Sequence, residues 1–135
     1  MSVIESLDVN GIHVYHKRGG EQAIVFLHGA WGNGWQWLDN FFEFYSKEYD
    51  CYALDLRAHG ESMPNQRINF QKLGNYVEDL ANVISNIPGK PILFAHSMGG
   101  LVAQRYIKDN PDSLTKLVLI APACRAGYGE QLRSL

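Results

Sequence analysis

The sequence predicts an α/β protein, a mostly parallel sheet with helices on both faces. Three observations carry this. Short continuous apolar runs, "AIVFL", "CYAL", "ILFA" and "LVLIA", recur along the chain, the pattern of strands covered on both sides. Between them lie segments whose apolar residues recur at helical spacing. The opening residues instead alternate around Asn10-Gly11, the strongest short hairpin signal, so an antiparallel pair is expected at one end of the sheet.

The hairpin occupies residues 3–18. "QAIVFLHG", 22–29, follows as a buried strand closed by glycine. A helix is expected next, capped by Asn33 and carrying Trp35, Leu38, Phe41, Phe42 and Tyr45 on its inner face up to Lys47. "DCYALDLR", 50–57, is the third buried strand and leads into the polar loop "AHGESMPNQR". The next helix is the most regular: Phe70, Leu73, Val77, Leu80, Ile84 and Ile87 are spaced three and four apart until Pro88-Gly89 stops it. Gly74 inside it costs about 1 kcal/mol relative to alanine, which weakens its first turn. "KPILFA", 90–95, reads as strand, "GGLVAQRYIKD", 99–109, as helix ending before Pro111, and "TKLVLIAP", 115–122, as a sixth strand. No repeat, low-complexity tract or charge run interrupts the pattern, so residues 1–135 are read as belonging to a single domain.

Composition narrows the function. Twelve basic against fourteen acidic residues give a net charge of -2, which points away from nucleic acid or an anionic membrane surface as partner. No apolar run approaches the roughly 18 residues of a membrane span, and the first residues show neither a basic leader nor an apolar signal core; a soluble, cytoplasmic protein is expected. Cys51 and Cys124 lie in or just after strands and read as free thiols, not a disulfide framework. No cofactor motif is present.

In parallel sheets ligands bind beyond the carboxyl ends of the strands. His28-Gly29, Asp55 with Arg57, and Ser97 fall there. A serine between strand and helix sits on a sharp turn that lifts its hydroxyl out of the backbone and demands small neighbours; Ala95 and Gly99 flank it at two residues on either side. The following helix turns its free N–H groups toward the hydroxyl's surroundings. The plain alternative is that Ser97 only caps that helix. Against it, "FLHGAWGNGW" closes a strand expected beside the Ser97 strand, where glycine lets backbone approach a ligand. The N–H groups of Met98 and Ala30 then converge on one oxygen, and one such donor contributes about 2.7–4 kcal/mol of transition-state stabilisation.

The His-Gly pair at 28–29, "DLRAHGES" at 55–62 and "AHSMGG" at 95–100 resemble the α/β-hydrolase fold in order and separation, over essentially the whole chain. The resemblance implies a serine hydrolase, of the esterase/lipase-like branch, that acts on a carboxylic ester or related small acyl substrate through an acyl-enzyme. Ser97 is then the nucleophile, and the backbone N–H groups of Ala30 and Met98 form the oxyanion hole. "HGAWGNGWQW" is similar to the corresponding loop of small esterases and hydroxynitrile lyases, which makes Trp31 the expected substrate contact. Serine at 97 argues against the haloalkane dehalogenase and epoxide hydrolase branches, whose nucleophile is a carboxylate. Two departures are mild: Ala95 stands where glycine is usual, and Ala58 stands where "Arg-Gly-His-Gly" is usual and would resist a positive φ.

The third departure is larger. In this fold the triad runs serine, acid, histidine, yet all five histidines, 13, 16, 28, 59 and 96, precede Ser97. His96 points to the other side of the sheet from its neighbour. His13 and His16 are three apart on one strand, face opposite ways and cannot converge on a metal or on a serine; no metal site is read. The family uses His28 and His59 structurally, and Asp109 and Asp112 lie away from the cleft. A serine without its base is a weak nucleophile, and losing the triad histidine costs on the order of a millionfold in turnover. The expectation is the N-terminal half of a hydrolase core, inactive alone, cut after about the sixth strand, with "CRAGYGEQLRSL" beginning where a lid is inserted. The sixth strand then becomes an open apolar edge, prone to self-association or to pairing with a complementing C-terminal half. Two other functions compete: a non-catalytic small-molecule receptor or scaffold on a hydrolase fold, and a Rossmann-like nucleotide-binding domain. The second is disfavoured because Gly29, Gly32 and Gly34 have the wrong offsets.

Overall fold

The computed structural model describes residues 3–63 and 65–123. Cys124 and the expected lid stretch lie outside the described residues. Six strands, β1 (Glu5–Val9), β2 (Ile12–Lys17), β3 (Ala23–Leu27), β4 (Asp50–Leu54), β5 (Ile92–His96) and β6 (Lys116–Ile120), form one sheet in the order β1-β2-β4-β3-β5-β6. The hairpin β1–β2 is antiparallel and joins β4 in antiparallel sense, with Val14 opposite Leu54. The other neighbours are parallel. The carboxyl ends of β3, β4, β5 and β6 therefore share one rim, and β6 lies at the outer edge.

Buried β3 explains the two-layer core. Val25 and Leu27 face α2 (Leu73–Ser85) and α3 (Met98–Asp109), packing with Tyr76, Leu80, Val83, Val102 and Ala103. Ile24 and Phe26 face the opposite layer with Trp37, Leu38, Phe42 and Phe94. Every β3 residue is buried because the sheet is covered on both sides. Cys51 is a buried free thiol, its pKa pushed up to about 12 by burial, which makes it inert.

The first helical segment differs from its expected form. Residues 34–45 run as a 3-10 turn (Gly34–Trp37), a π segment (Leu38–Phe42) and a single α turn, α1 (Glu43–Tyr45). Asn33 makes no side-chain cap. Trp35, expected inside, is 63% exposed, and Trp37 takes the buried position. The register slips because nearly every face of "GWQWLDNFFEFY" carries an apolar residue, and the sheet selects Trp37 and Phe42. The second helix starts at Leu73; Phe70 belongs to a separate 3-10 turn and is exposed. No helix among the described residues is long and apolar enough to cross a membrane.

Candidate active site

Ser97 sits between β5 and α3 at φ 54°, ψ -120°, a conformation costing a non-glycine residue of order 1–3 kcal/mol. The end of β6 holds it there. The Ser97 amide donates to Ile120 O (3.1 Å), and the Ser97 carbonyl accepts from the amides of Gly100 (2.9 Å) and Ala123 (2.8 Å). The Ser97 side chain makes no capping hydrogen bond to α3, so the helix-cap alternative fails.

The small neighbours have steric reasons. A methyl group on Gly29 would stand 2.9 Å from Ser97 Cβ and 3.4 Å from its Oγ; one on Gly99 would run into the His28 carbonyl, and one on Gly100 would meet Pro122 at 2.7 Å. Ala95 is fully buried and tolerated as the first small residue of the elbow. Met98 opens α3 and is buried, whereas Ala30 is exposed on the neighbouring loop. Neither amide engages an acceptor among the described residues, so both remain available donors.

Two histidines fix the loop that carries Ala30. His28 Nε2 accepts from the Leu56 amide (3.0 Å), and its Nδ1–H donates to Gly29 O (2.7 Å). His59 Nε2 accepts from the Trp31 amide (3.1 Å), and its Nδ1–H donates to Arg57 O (3.0 Å). Each ring thus bridges two backbone segments as a neutral imidazole. Burial lowers the His28 pKa to about 4, and burial also lowers that of His59. With both nitrogens engaged, neither is free to serve Ser97. Trp31 adopts φ 64° and its side chain is 72% exposed at the rim, so it forms no wall with the described residues.

Beneath the loop lies a buried polar frame built on Asp55, Arg57 and Ser62, which the sequence places at this rim, and on Asp79, which it does not single out. Asp55 is fully buried and accepts from the amides of Gly34 (2.6 Å) and Glu61 (3.0 Å). Ser62 donates to Asp55 O (2.6 Å) and accepts from the His13 amide (2.8 Å). Asp79 receives the Arg57 guanidinium at 2.8 and 3.0 Å and the Arg57 amide at 2.9 Å. Ala58 adopts φ 64°, contrary to the expectation that alanine would resist it; the hydrogen bonds around it impose the turn. The same frame removes the nucleotide-binding alternative. Asp55, which a ribose would require, is sealed under the Gly34 amide.

A family model described as "Serine aminopeptidase, S33" matches residues 20–134. The chain belongs to this family of α/β-hydrolases. It is 31% identical over 134 residues to the dihydrolipoyllysine-residue acetyltransferase component of the acetoin cleaving system of Cupriavidus necator, covering 94% of this chain and 33% of that protein. A Haemophilus influenzae protein named as an esterase or lipase is 32% identical over 115 residues, covering 81% of this chain and 38% of its own length. The crystal structure of an epoxide hydrolase from Vigna radiata superposes with a TM-score of 0.72 at 25% identity, over 87% of this chain and 39% of that one. The chain spans about a third of the length of the curated relatives it matches. In α/β-hydrolase terms, the described residues supply the N-terminal part of the fold, including the strand-turn-helix on which Ser97 stands.

Proposed function

We propose that the chain carries the nucleophile and oxyanion hole of a serine hydrolase that cleaves carboxylic esters or related small acyl substrates through an acyl-enzyme. Ser97 attacks the carbonyl, and the amides of Ala30 and Met98 receive the oxyanion. The single observation behind this reading is the strained backbone of Ser97, which keeps its side chain out of the helix cap and against Gly29. A receptor or scaffold has no use for that strain. His28 and His59 are spent on backbone, His96 stands edge-on to Trp37, and no histidine follows Ser97 in these 135 residues; the acid and base are then taken to lie outside them. Acyl transfer to an alcohol or thiol is a second reading, favoured by the acetyltransferase relative, and it shares the same acyl-enzyme.

Imidazole supplied in solution stands in for the base. The purified chain is incubated with p-nitrophenyl acetate, with and without imidazole, and acetylated residues are located by peptide mass mapping. Selective acetylation of Ser97 that depends on imidazole, and is lost in Ser97→Ala, is expected. Acetyl groups scattered over surface residues with Ser97 unmodified would contradict the proposal.

A further inference from the structure

We propose that His13 and Glu61 ligate a divalent transition ion of the zinc class, with Asp55 orienting the histidine from behind. The ion would pin the β1–β2 hairpin to the loop that follows β4. Such a site is independent of the function proposed for Ser97.

The topology creates the cluster. Because β2 runs antiparallel beside β4, the Asp55 amide donates to His13 O (2.9 Å) and the two side chains meet. Turns at 56–62 then bring Glu61 back over the same ring, through His59 N to Leu56 O and Ser62 N to His59 O. His13 Nδ1 lies 3.0 Å from Asp55 Oδ2, and Nε2 lies 3.1 Å from Glu61 Oε2. One donor atom from each of the three residues fits within 4.8 Å of the others.

The close approach of His13 Nε2 to the Glu61 carboxylate needs positive charge between them, which a metal ion or a second ring proton would supply. Asp55 is fully buried and fixed by two backbone amides, so it accepts the Nδ1–H of His13. In the neutral ring that leaves a lone pair on Nε2, aimed at a carboxylate oxygen that is itself only an acceptor. The Ser6 hydroxyl, 3.0 Å from Nε2, can donate to the ring but does nothing for the approach of Glu61. Among the described residues neither Asp55 nor Glu61 has a lysine or arginine partner.

An imidazole whose far nitrogen is held by a buried carboxylate is the usual setting of a metal-ligating histidine. The nitrogen-plus-carboxylate donor pair suits zinc, cobalt or nickel, whereas calcium and magnesium prefer oxygen alone. The rigid seat is His13 on Asp55. Glu61, whose side chain is 67% exposed, is the arm that closes onto the ion, with water completing the coordination.

The test is calorimetric titration of the metal-free 135-residue chain with Zn2+, repeated with Co2+ followed by visible absorption. One equivalent is expected to bind. Affinity should fall at least about tenfold in His13→Gln and in Glu61→Gln and stay unchanged in His16→Gln, which removes the histidine on the other face of β2. Circular dichroism checks that each variant folds, and the His13 ring nitrogen resonances of the unmodified chain should shift with Zn2+. Zinc binding that survives both substitutions overturns the proposal. So does a chain that takes up no Zn2+ at millimolar concentration and shows His13 protonated on both nitrogens.

Discussion

A methyl group placed on Gly29 would lie 2.9 Å from the Cβ of Ser97. The loop after β3 and the turn after β5 thus meet at closest range where Gly29 has no side chain, the approach on which the proposed role of the Ala30 amide depends. Gly29→Ala should separate them. Overpacking of this kind costs about 1–3 kcal/mol, and imidazole-dependent acetylation of Ser97 should fall with it. Urea unfolding and adduct yield measure the two effects. Unchanged acetylation in a folded Gly29→Ala chain would remove Ala30 from the oxyanion hole.

Ala58 is held at φ 64° by the turn between Arg57 and Ser62. Left-handed backbone costs alanine about 1–2 kcal/mol, and glycine loses part of that gain to its freer unfolded state. Ala58→Gly should therefore raise stability by roughly 0.5–1 kcal/mol, seen as a higher midpoint in thermal or urea unfolding.

His28 gives stability a pH dependence of definite sign. Its folded pKa is lowered by burial to about 4, against about 6.5 unfolded. Between those values the unfolded chain binds the extra proton, so stability is present above pH 6.5 and is lost as pH falls toward 4. The loss from this one ring is about 2 kcal/mol between pH 7 and pH 5. His59, lowered in the same direction, adds to it, whereas Asp79, raised by burial, acts in the opposite sense. Urea unfolding across this range checks the slope, which should flatten in His28→Asn.

The Arg57–Asp79 pair ties the loop after β4 to α2. Asp79 is 1% exposed, so removing the arginine leaves a buried carboxylate without its guanidinium. Arg57→Met should cost about 3–5 kcal/mol, and adding Asp79→Leu should recover much of the loss. A double-mutant cycle by urea unfolding measures both. A single-variant cost below about 1 kcal/mol would mean that the Arg57 amide alone satisfies Asp79.

The parallel strands are legible because burial on both faces writes itself as short apolar runs, as in β3. The segment 34–45 is not: with aromatic residues on almost every face, "GWQWLDNFF" defines no helical period, and only the sheet decides that Trp37 and Phe42 go inside. Ser97 is legible because its tight turn constrains the residues on either side of it. His13, Asp55 and Glu61 are not, since nothing local says that β2 will insert beside β4. That pairing brings together residues 42 positions apart, and a pass along the chain sees only His13 and His16 facing opposite ways.

Fluorophosphonate labelling of the chain, with the rate at Ser97 followed by mass mapping in the presence and absence of imidazole, tests the central claim most directly. An aligned serine without a base should label at background rate alone and become the preferred site once imidazole is added. Fast labelling without imidazole would mean that His28, His59 or another histidine of the chain acts as the base, and no preference for Ser97 with imidazole would mean that its hydroxyl does not face the Ala30 and Met98 amides.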